Sequence, residues 1–326
     1  MRALIVTALA LLAGSAALAA PIAVQAPTEI SATGPGGELK ATWRGPAAQD
    51  GVHPPIMLFV PGSGPTDRDG NNPLGVAGRP YGKLMEALAL EGISTVAVDK
   101  RGQFGSEGAR FGPEGPTIAA YAADMKAWIA QIREETGVPC VWLSGHSEGV
   151  LVALVTAQDA QGVCGLVLIS GPGRRLSDVI REQIRSNPAN PPEILAQSDA
   201  ALAALEAGRK VDVSTYHPAL QQLFAPVNQA FLISMFSYDP AALLKTYGGP
   251  VLVVQGSTDI QVTVADSQRL SGARAGVTLQ LMDGMNHVLR TAPADRAANA
   301  ATYADASAPV FPGLAAGIAN FIKTHR

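Results

Sequence analysis

The chain has 326 residues, 47% of them hydrophobic and 16% charged, with a formal net charge of −3. That length and apolar content suffice for one large core carrying an insertion. The weak negative charge leaves no basic field for nucleic acid or anionic lipid, which excludes functions that hold polyanions.

Residues 1–20, MRALIVTALALLAGSAALAA, combine a single Arg2, an apolar stretch from Ala3 to Leu12 and small residues ending in Ala17-Leu18-Ala19. This is the pattern of a cleaved signal peptide, with cleavage near Ala19/Ala20. The alternative is a retained anchor, but the strongly apolar part is shorter than the roughly 20 residues of a spanning helix. The expectation is an exported enzyme, periplasmic or extracellular, without stable membrane insertion.

Next, EISATG and ELKATWRG flank a turn at Pro35, Gly36 and Gly37 and predict a partly exposed β-hairpin. From there short apolar runs alternate with helical patterns. Strands are expected at 56–60, 94–99, 141–145, 165–170, 251–256 and 278–283, and helices near 80–91, 117–135, 148–159 and 308–323. Continuous β-branched runs separated by helices predict an α/β fold with a mostly parallel sheet covered on both faces. The core is therefore expected over 28–170 and 250–326. The interval 171–249 carries helical patterns and prolines without a convincing strand, so a helical cap or lid is expected there.

Only Cys140 and Cys164 occur, too few for a cysteine-built zinc cluster. They fall at the starts of two predicted strands of one βαβ unit. If those strands are neighbours, their starts lie about 4.8 Å apart, within reach of a disulfide. A Cys140–Cys164 bridge is expected in an oxidising compartment, the alternative being two buried thiols.

Gly145-His146-Ser147-Glu148-Gly149 is a G-x-S-x-G placed between a predicted strand and a predicted helix. The glycines allow a turn so sharp that the serine hydroxyl stands clear of the sheet. A serine hydroxyl is a weak nucleophile, so it needs a base and a carboxylate to orient that base. Among the five histidines, His146 is expected to point away from its neighbour Ser147, and His53, His217 and His325 lie outside strand-end loops. His287, beyond the last predicted strand, is the expected base. Asp259, just past VLVVQG and 28 residues before His287, is the expected acid. Asp283, which precedes a glycine, competes with it and is otherwise a turn-capping residue. Acyl transfer also needs donors for the developing oxyanion: the backbone N–H of Glu148, and one from the loop after the first core strand, with Ser63 preferred and Gly64 second.

In this order VPGSGPTDRDGN, DKRGQFGS, GHSEG, QGSTDIQV and GMNHVL resemble the α/β-hydrolase superfamily over roughly residues 28–326. The GSGPTDRDGN loop is similar to that of bacterial serine esterases and dienelactone-hydrolase-like proteins. The resemblance implies an eight-stranded sheet whose second strand is antiparallel. It also carries the triad to Ser147, Asp259 and His287 and the oxyanion positions to Ser63 and Glu148. Where such loops commonly have His-Gly, this chain has Pro61-Gly62. Asp67, Arg68 and Asp69 sit beside that loop, either bracing it through an ion pair with Arg101 or standing as a solvated cluster. Asp99 and Arg101 are expected to fix the turn that follows.

The function these residues predict is hydrolysis of a short to medium carboxylic ester through an acyl-enzyme, requiring no cofactor or metal. The alternatives are a serine peptidase or aminopeptidase of the same fold, for which Arg174, Arg175, Arg181 and Arg185 are candidate carboxylate binders, and an inactive exported protein holding a small apolar ligand.

Overall fold

A computed structural model describes residues 22–325 of the chain; the expected signal peptide lies outside the described residues. Eight strands form one sheet: β1 Thr28–Gly34, β2 Gly37–Arg44, β3 Ile56–Val60, β4 Ser94–Val98, β5 Val141–His146, β6 Val163–Ile169, β7 Val251–Gly256 and β8 Val277–Met282. Their order is β1-β2-β4-β3-β5-β6-β7-β8. β2 pairs antiparallel with both β1 and β4, whereas every other pairing is parallel. The second strand is thus the reversed one, as the resemblance implies.

Period-2 side-chain alternation divides the core between the two faces of the sheet. On β3, Ile56, Leu58 and Val60 join one cluster, which includes Trp128, Leu151 and Leu154. Met57 and Phe59 join the other, with Leu84, Leu88, Ile318 and Ile322. The first face is covered by α2, Ile118–Thr136, and α3, Glu148–Thr156; the second by α1, Pro80–Leu90, and a closing helix at Leu314–Thr324. Central strands buried on both sides read as continuous apolar runs for this reason. Helix α2 begins where the Thr117 side chain accepts from the Ala120 N–H and ends at Gly137, whose φ of 71° suits a glycine cap.

The interval 171–249 holds five helices and no strand among the described residues: α4 Leu176–Arg185, α5 Pro192–Glu206, α6 Pro218–Leu223, α7 Pro226–Phe236 and α8 Pro240–Thr246. It packs onto the α2 and α3 side, with α7 against α2 and α8 against α3. Ser234 of α7 accepts from the Ile118 N–H at 3.1 Å, covering an open donor at the start of α2. Leu202, Phe224 and Phe236 of this segment belong to the same core cluster as the sheet residues. After β7 come α9, Val264–Gly272, and beyond β8 come α10, Arg296–Ala301, and the closing α11, Leu314–Thr324. The closing helix starts later than expected because Pro309, Pro312 and a left-handed Gly313 interrupt the pattern. No helix among the described residues is long and apolar enough to cross a membrane.

A disulfide joins Cys140 and Cys164, whose Cα atoms are 5.1 Å apart. β5 and β6 are indeed neighbours, although their register shifts between Val141 and Trp142, beside the bridge.

Candidate active site

The chain leaves β3 for β4 on one side and later returns to β5 on the other. The loops after β3 and β5 therefore diverge and leave a crevice at their carboxyl ends, the usual ligand position in an open α/β sheet. Ser147 lies at that point, between β5 and α3, with φ 53° and ψ −122°. A non-glycine residue held there stores strain of order 1–3 kcal/mol. The flanking glycines are required by close approach: a Cβ on Gly145 would stand 2.1 Å from the Gly149 carbonyl oxygen, and one on Gly149 would stand 2.4 Å from that of Val60.

A cavity of about 310 Å³ opens over Ser147, and Ser63 and His287 also line it. The remaining wall comes largely from the 62–81 segment, including Thr66, Asn72, Leu74 and Val76, and from Gln261, Val288 and Tyr303. The lining residues include none from 171–249, so the helical insertion packs beside the site without walling it. One link to the site runs through Gln183 of α4, which donates to the Gln261 carbonyl at 2.8 Å.

Asp259 and His287 come together from the loops after β7 and β8. The Nδ1–H of His287 donates to Asp259 Oδ2 at 2.8 Å, which leaves Nε2 as the ring nitrogen available to a substrate. Asp259 Oδ2 also accepts from Gln255 at 3.1 Å, while its Oδ1 accepts the N–H groups of Gln261 and Val262 at 2.8 and 3.0 Å. Burial works against ionisation of Asp259, but the adjoining His287 and the backbone N–H groups of Gln261 and Val262 outweigh it and hold the carboxyl below its ordinary range. Among the described residues Ser147 and His287 share the cavity without a direct hydrogen bond. Asp283 is at the surface, accepting from Ser257 at 2.8 Å, where it ties two turns together.

His146 is buried and lines the cavity together with Tyr81, but both of its ring nitrogens are engaged, and these partners fix its tautomer. The His287 carbonyl, 2.8 Å from Nε2, can only accept, so Nε2 carries the proton and Nδ1 accepts from the Tyr81 hydroxyl at 2.7 Å. Tyr81 in turn accepts from the Gly62 N–H at 3.4 Å. Burial, with the neighbouring His287 charge, pushes His146 down to about 3, so the ring stays neutral. This chain of bonds pins the His287 loop to α1 and to the loop carrying Ser63. Arg290, fully buried, donates to the carbonyls of Ala77, Thr302 and Tyr303 and so holds the Tyr303 wall in place.

The other histidines have structural places. His217 caps α6, His325 contacts the Phe321 carbonyl and His53 packs edge-on to Trp43.

Of the two alternatives for the Asp67–Asp69 cluster, the ion pair with Arg101 does not form. Arg101 runs the other way, to Asp124 of α2. The loop is braced instead by Arg68, whose Nε is 2.8 Å from Asp99, and by Arg44, 2.7 Å from Asp69. Asp67 folds the loop on itself by accepting from Asp69 and Asn71. Asp99 also accepts from the Gly105 N–H, fixing the turn after β4 as expected.

Ser63 reaches the cavity; Gly64, with φ 69°, is not among its lining residues. No partner for the N–H of Ser63 or of Glu148 occurs among the described residues. Sequence reasoning missed Lys100 and Tyr81. A lysine ending an apolar run was the visible signal for Lys100, whereas nothing in its helix distinguishes Tyr81.

The family described as "Serine aminopeptidase, S33" matches residues 75–191, less than half of the chain, including Ser147 but neither Asp259 nor His287. Esterase EstD of Thermotoga maritima is 25% identical over 243 residues, covering 72% of this chain and 54% of its own length. The chain thus spans about half the length of that curated relative. Among solved structures, the α/β hydrolase GrgF from Penicillium is similar with a TM-score of 0.59 at 15% identity, covering 92% of this chain and 99% of that one. The Pyrococcus furiosus esterase Pf2001 gives 0.56 at 17% identity, over 92% and 91% of the two chains. Est1E from Butyrivibrio proteoclasticus, with ferulic acid bound, gives 0.56 at 15%, over 90% and 96%.

Proposed function

We propose that this chain, which has the α/β-hydrolase fold, is an exported serine esterase in which Ser147, His287 and Asp259 act as a catalytic triad. The observation that carries the reading is the His287–Asp259 hydrogen bond, with a neutral-tautomer Nε2 left for the cavity that also exposes Ser147 on its strained turn.

In this mechanism the Ser147 oxygen attacks the ester carbonyl while its proton passes to His287 Nε2. The tetrahedral oxyanion is received by the N–H groups of Ser63 and Glu148. Collapse expels the alcohol, protonated by His287, and leaves an acyl-enzyme on Ser147. Water then attacks with His287 as base, and the carboxylic acid departs. Asp259 stays ionised and stabilises the imidazolium formed in both halves. The cavity, about 310 Å³ with a wall of mixed polarity, sits at the small end of ligand pockets and fits a short to medium acyl or alcohol group. Export follows from the residues 1–20 pattern, and the Cys140–Cys164 disulfide is consistent with an oxidising compartment.

The partial match to a family described as serine aminopeptidase favours peptide-bond cleavage as the second reading. Hydrolysis of p-nitrophenyl esters from acetate to decanoate, beside an amino-acid p-nitroanilide panel, separates the two. Turnover of short esters that disappears in Ser147→Ala is expected; preference for anilides selects the peptidase. Absence of both, with no labelling of Ser147 by a fluorophosphonate, removes the catalytic reading.

A further inference from the structure

Under the floor of the cavity lies a buried ion pair that the triad does not use. Lys100, just after β4, is 3% exposed, and Glu148, the first residue of α3, is 2% exposed. The Lys100 ammonium stands 3.7 Å from Glu148 Oε1 and 5.7 Å from the Tyr121 ring centre. It donates to the Gly62 carbonyl oxygen at 2.7 Å. Burial pushes Lys100 down from its ordinary value, and Glu148 opposes that shift. Taking two charges out of water costs several kcal/mol per ion, and well-packed apolar residues commonly do as well or better. Stability is therefore a poor reason for the pair.

Its position supplies a better one. The carbonyl that Lys100 grips belongs to the peptide unit whose nitrogen is that of Ser63. A cation on an amide oxygen raises the C–N double-bond character and draws electron density from nitrogen, making the N–H a stronger donor. The same bond fixes the plane of the peptide, so the N–H keeps its aim without reorganising during reaction. Glu148 faces the ammonium at 3.7 Å as a counter-charge without a hydrogen bond, and its own backbone N–H is the other oxyanion donor. One cation thus couples two donors that come from different loops.

We propose that Lys100 is a positioning residue of the oxyanion hole: its ammonium, paired with Glu148, orients and polarises the Gly62–Ser63 peptide toward the developing oxyanion. The proposal rests on the esterase reading, with Ser147 as nucleophile and Ser63 N–H as donor. An interaction that strengthens as negative charge develops acts on kcat and leaves KM nearly unchanged.

Lys100→Met alone strands a buried carboxylate and endangers folding, so the test pairs it with the double variant Lys100→Met/Glu148→Gln, which removes both charges. The whole chain, its Ser147→Ala variant and the two Lys100 variants are assayed on p-nitrophenyl butyrate. Inhibition by an alkyl trifluoromethyl ketone, whose serine adduct carries an oxyanion, is measured alongside thermal melting. The expected result is a folded double variant with KM within about threefold of the parent, kcat lower by on the order of 10- to 100-fold, and ketone affinity weakened by a similar factor. A folded double variant with kcat within about threefold of the parent, a rise in KM alone, or a kcat loss with ketone affinity intact overturns the role of Lys100. If the parent is inert, or Ser147→Ala keeps its turnover, the esterase reading falls and takes the proposal with it. Ser147-dependent turnover with an unimpaired double variant removes the Lys100 role alone.

Discussion

The two sides of Ser147 are built differently. On one side Asp259 and His287 sit in adjacent strand-end loops, joined by a direct 2.8 Å hydrogen bond, with the acid saturated by four donors. On the other, the Ser63 loop is held from beneath by Lys100 through a carbonyl and from behind by Tyr81 through an N–H. The first arrangement works through side chains that would touch the reacting atoms or their immediate partner. The second works through backbone groups whose aim is set by buried side chains one layer away. Short of proline, substitution leaves a backbone N–H in place, so its aim is tuned from behind.

The largest expected effect lies at the junction of the two sides. Ser147→Ala should lower ester kcat by on the order of 10⁴-fold or more, measured with p-nitrophenyl butyrate on protein whose melting temperature is unchanged. Next, Asp259→Asn should cost about 10³- to 10⁴-fold, because the amide no longer enforces the Nδ1–H tautomer and cannot stabilise the imidazolium. The folded pKa of Asp259 is depressed, so its ionisation stabilises the fold above the ordinary aspartate value of 3.8, and this contribution is lost as pH falls through the lower folded value. Urea unfolding of parent and variant should therefore show a gap in stability that narrows below pH 3.8. A gap that widens on acidification would contradict the assignment of an ionised Asp259.

The bracing layer should give smaller losses. Tyr81→Phe removes the donor to His146 and the acceptor for Gly62; a kcat loss of roughly 3- to 10-fold is expected, corresponding to one net hydrogen bond of about 1 kcal/mol. No change in kcat for folded Tyr81→Phe would mean that the Tyr81–His146–His287 chain is not needed to place the histidine. His146 gives this layer a pH signature. Its folded value, about 3, lies below the unfolded 6.5, so its stability contribution is complete above 6.5 and declines as pH falls toward 3. Between those limits it should remove about 1.4 kcal/mol per pH unit from the parent, a slope expected to vanish in His146→Gln when unfolding is followed at pH 7, 6 and 5.

The smallest effect on turnover is expected far from either side. Opening the Cys140–Cys164 bridge, which spans a sequence separation of 24, should cost about 3 kcal/mol of stability by loop entropy. Cys140→Ser/Cys164→Ser should melt earlier yet retain the parent's kcat.

The alternation of apolar runs and helical patterns placed the central strands within two residues, because strands buried on both faces carry no competing polar signal. The closing helix starts about six residues later than its composition suggests; the short α9 and α10 are not signalled by periodicity, and the turn at Tyr303 depends on the buried Arg290, which bonds the carbonyls there. The candidates Ser147, Asp259 and His287 stand out in the sequence because each follows a strong strand at a loop of distinctive composition, and the structure joins Asp259 to His287 and lines one cavity with His287 and Ser147. Of the two alternatives open for the Asp67–Asp69 cluster, the ion pair with Arg101 does not form, because proximity in sequence does not say that Arg101 turns toward Asp124 of α2.

By itself the sequence determined the strand inventory, the G-x-S-x-G turn and the cysteine pair, and it singled out Asp259 and His287 as the candidate acid and base, all readings set by residue type and short-range spacing. Only the tertiary structure decided that the helical insertion contributes no wall to the cavity, that His146 is a neutral strut behind His287, and that a lysine 38 positions from Gly62 holds its carbonyl. The physical reason is that these arrangements depend on which faces of distant elements pack together, and burial in a common core fixes a direction for each side chain that its local sequence leaves open.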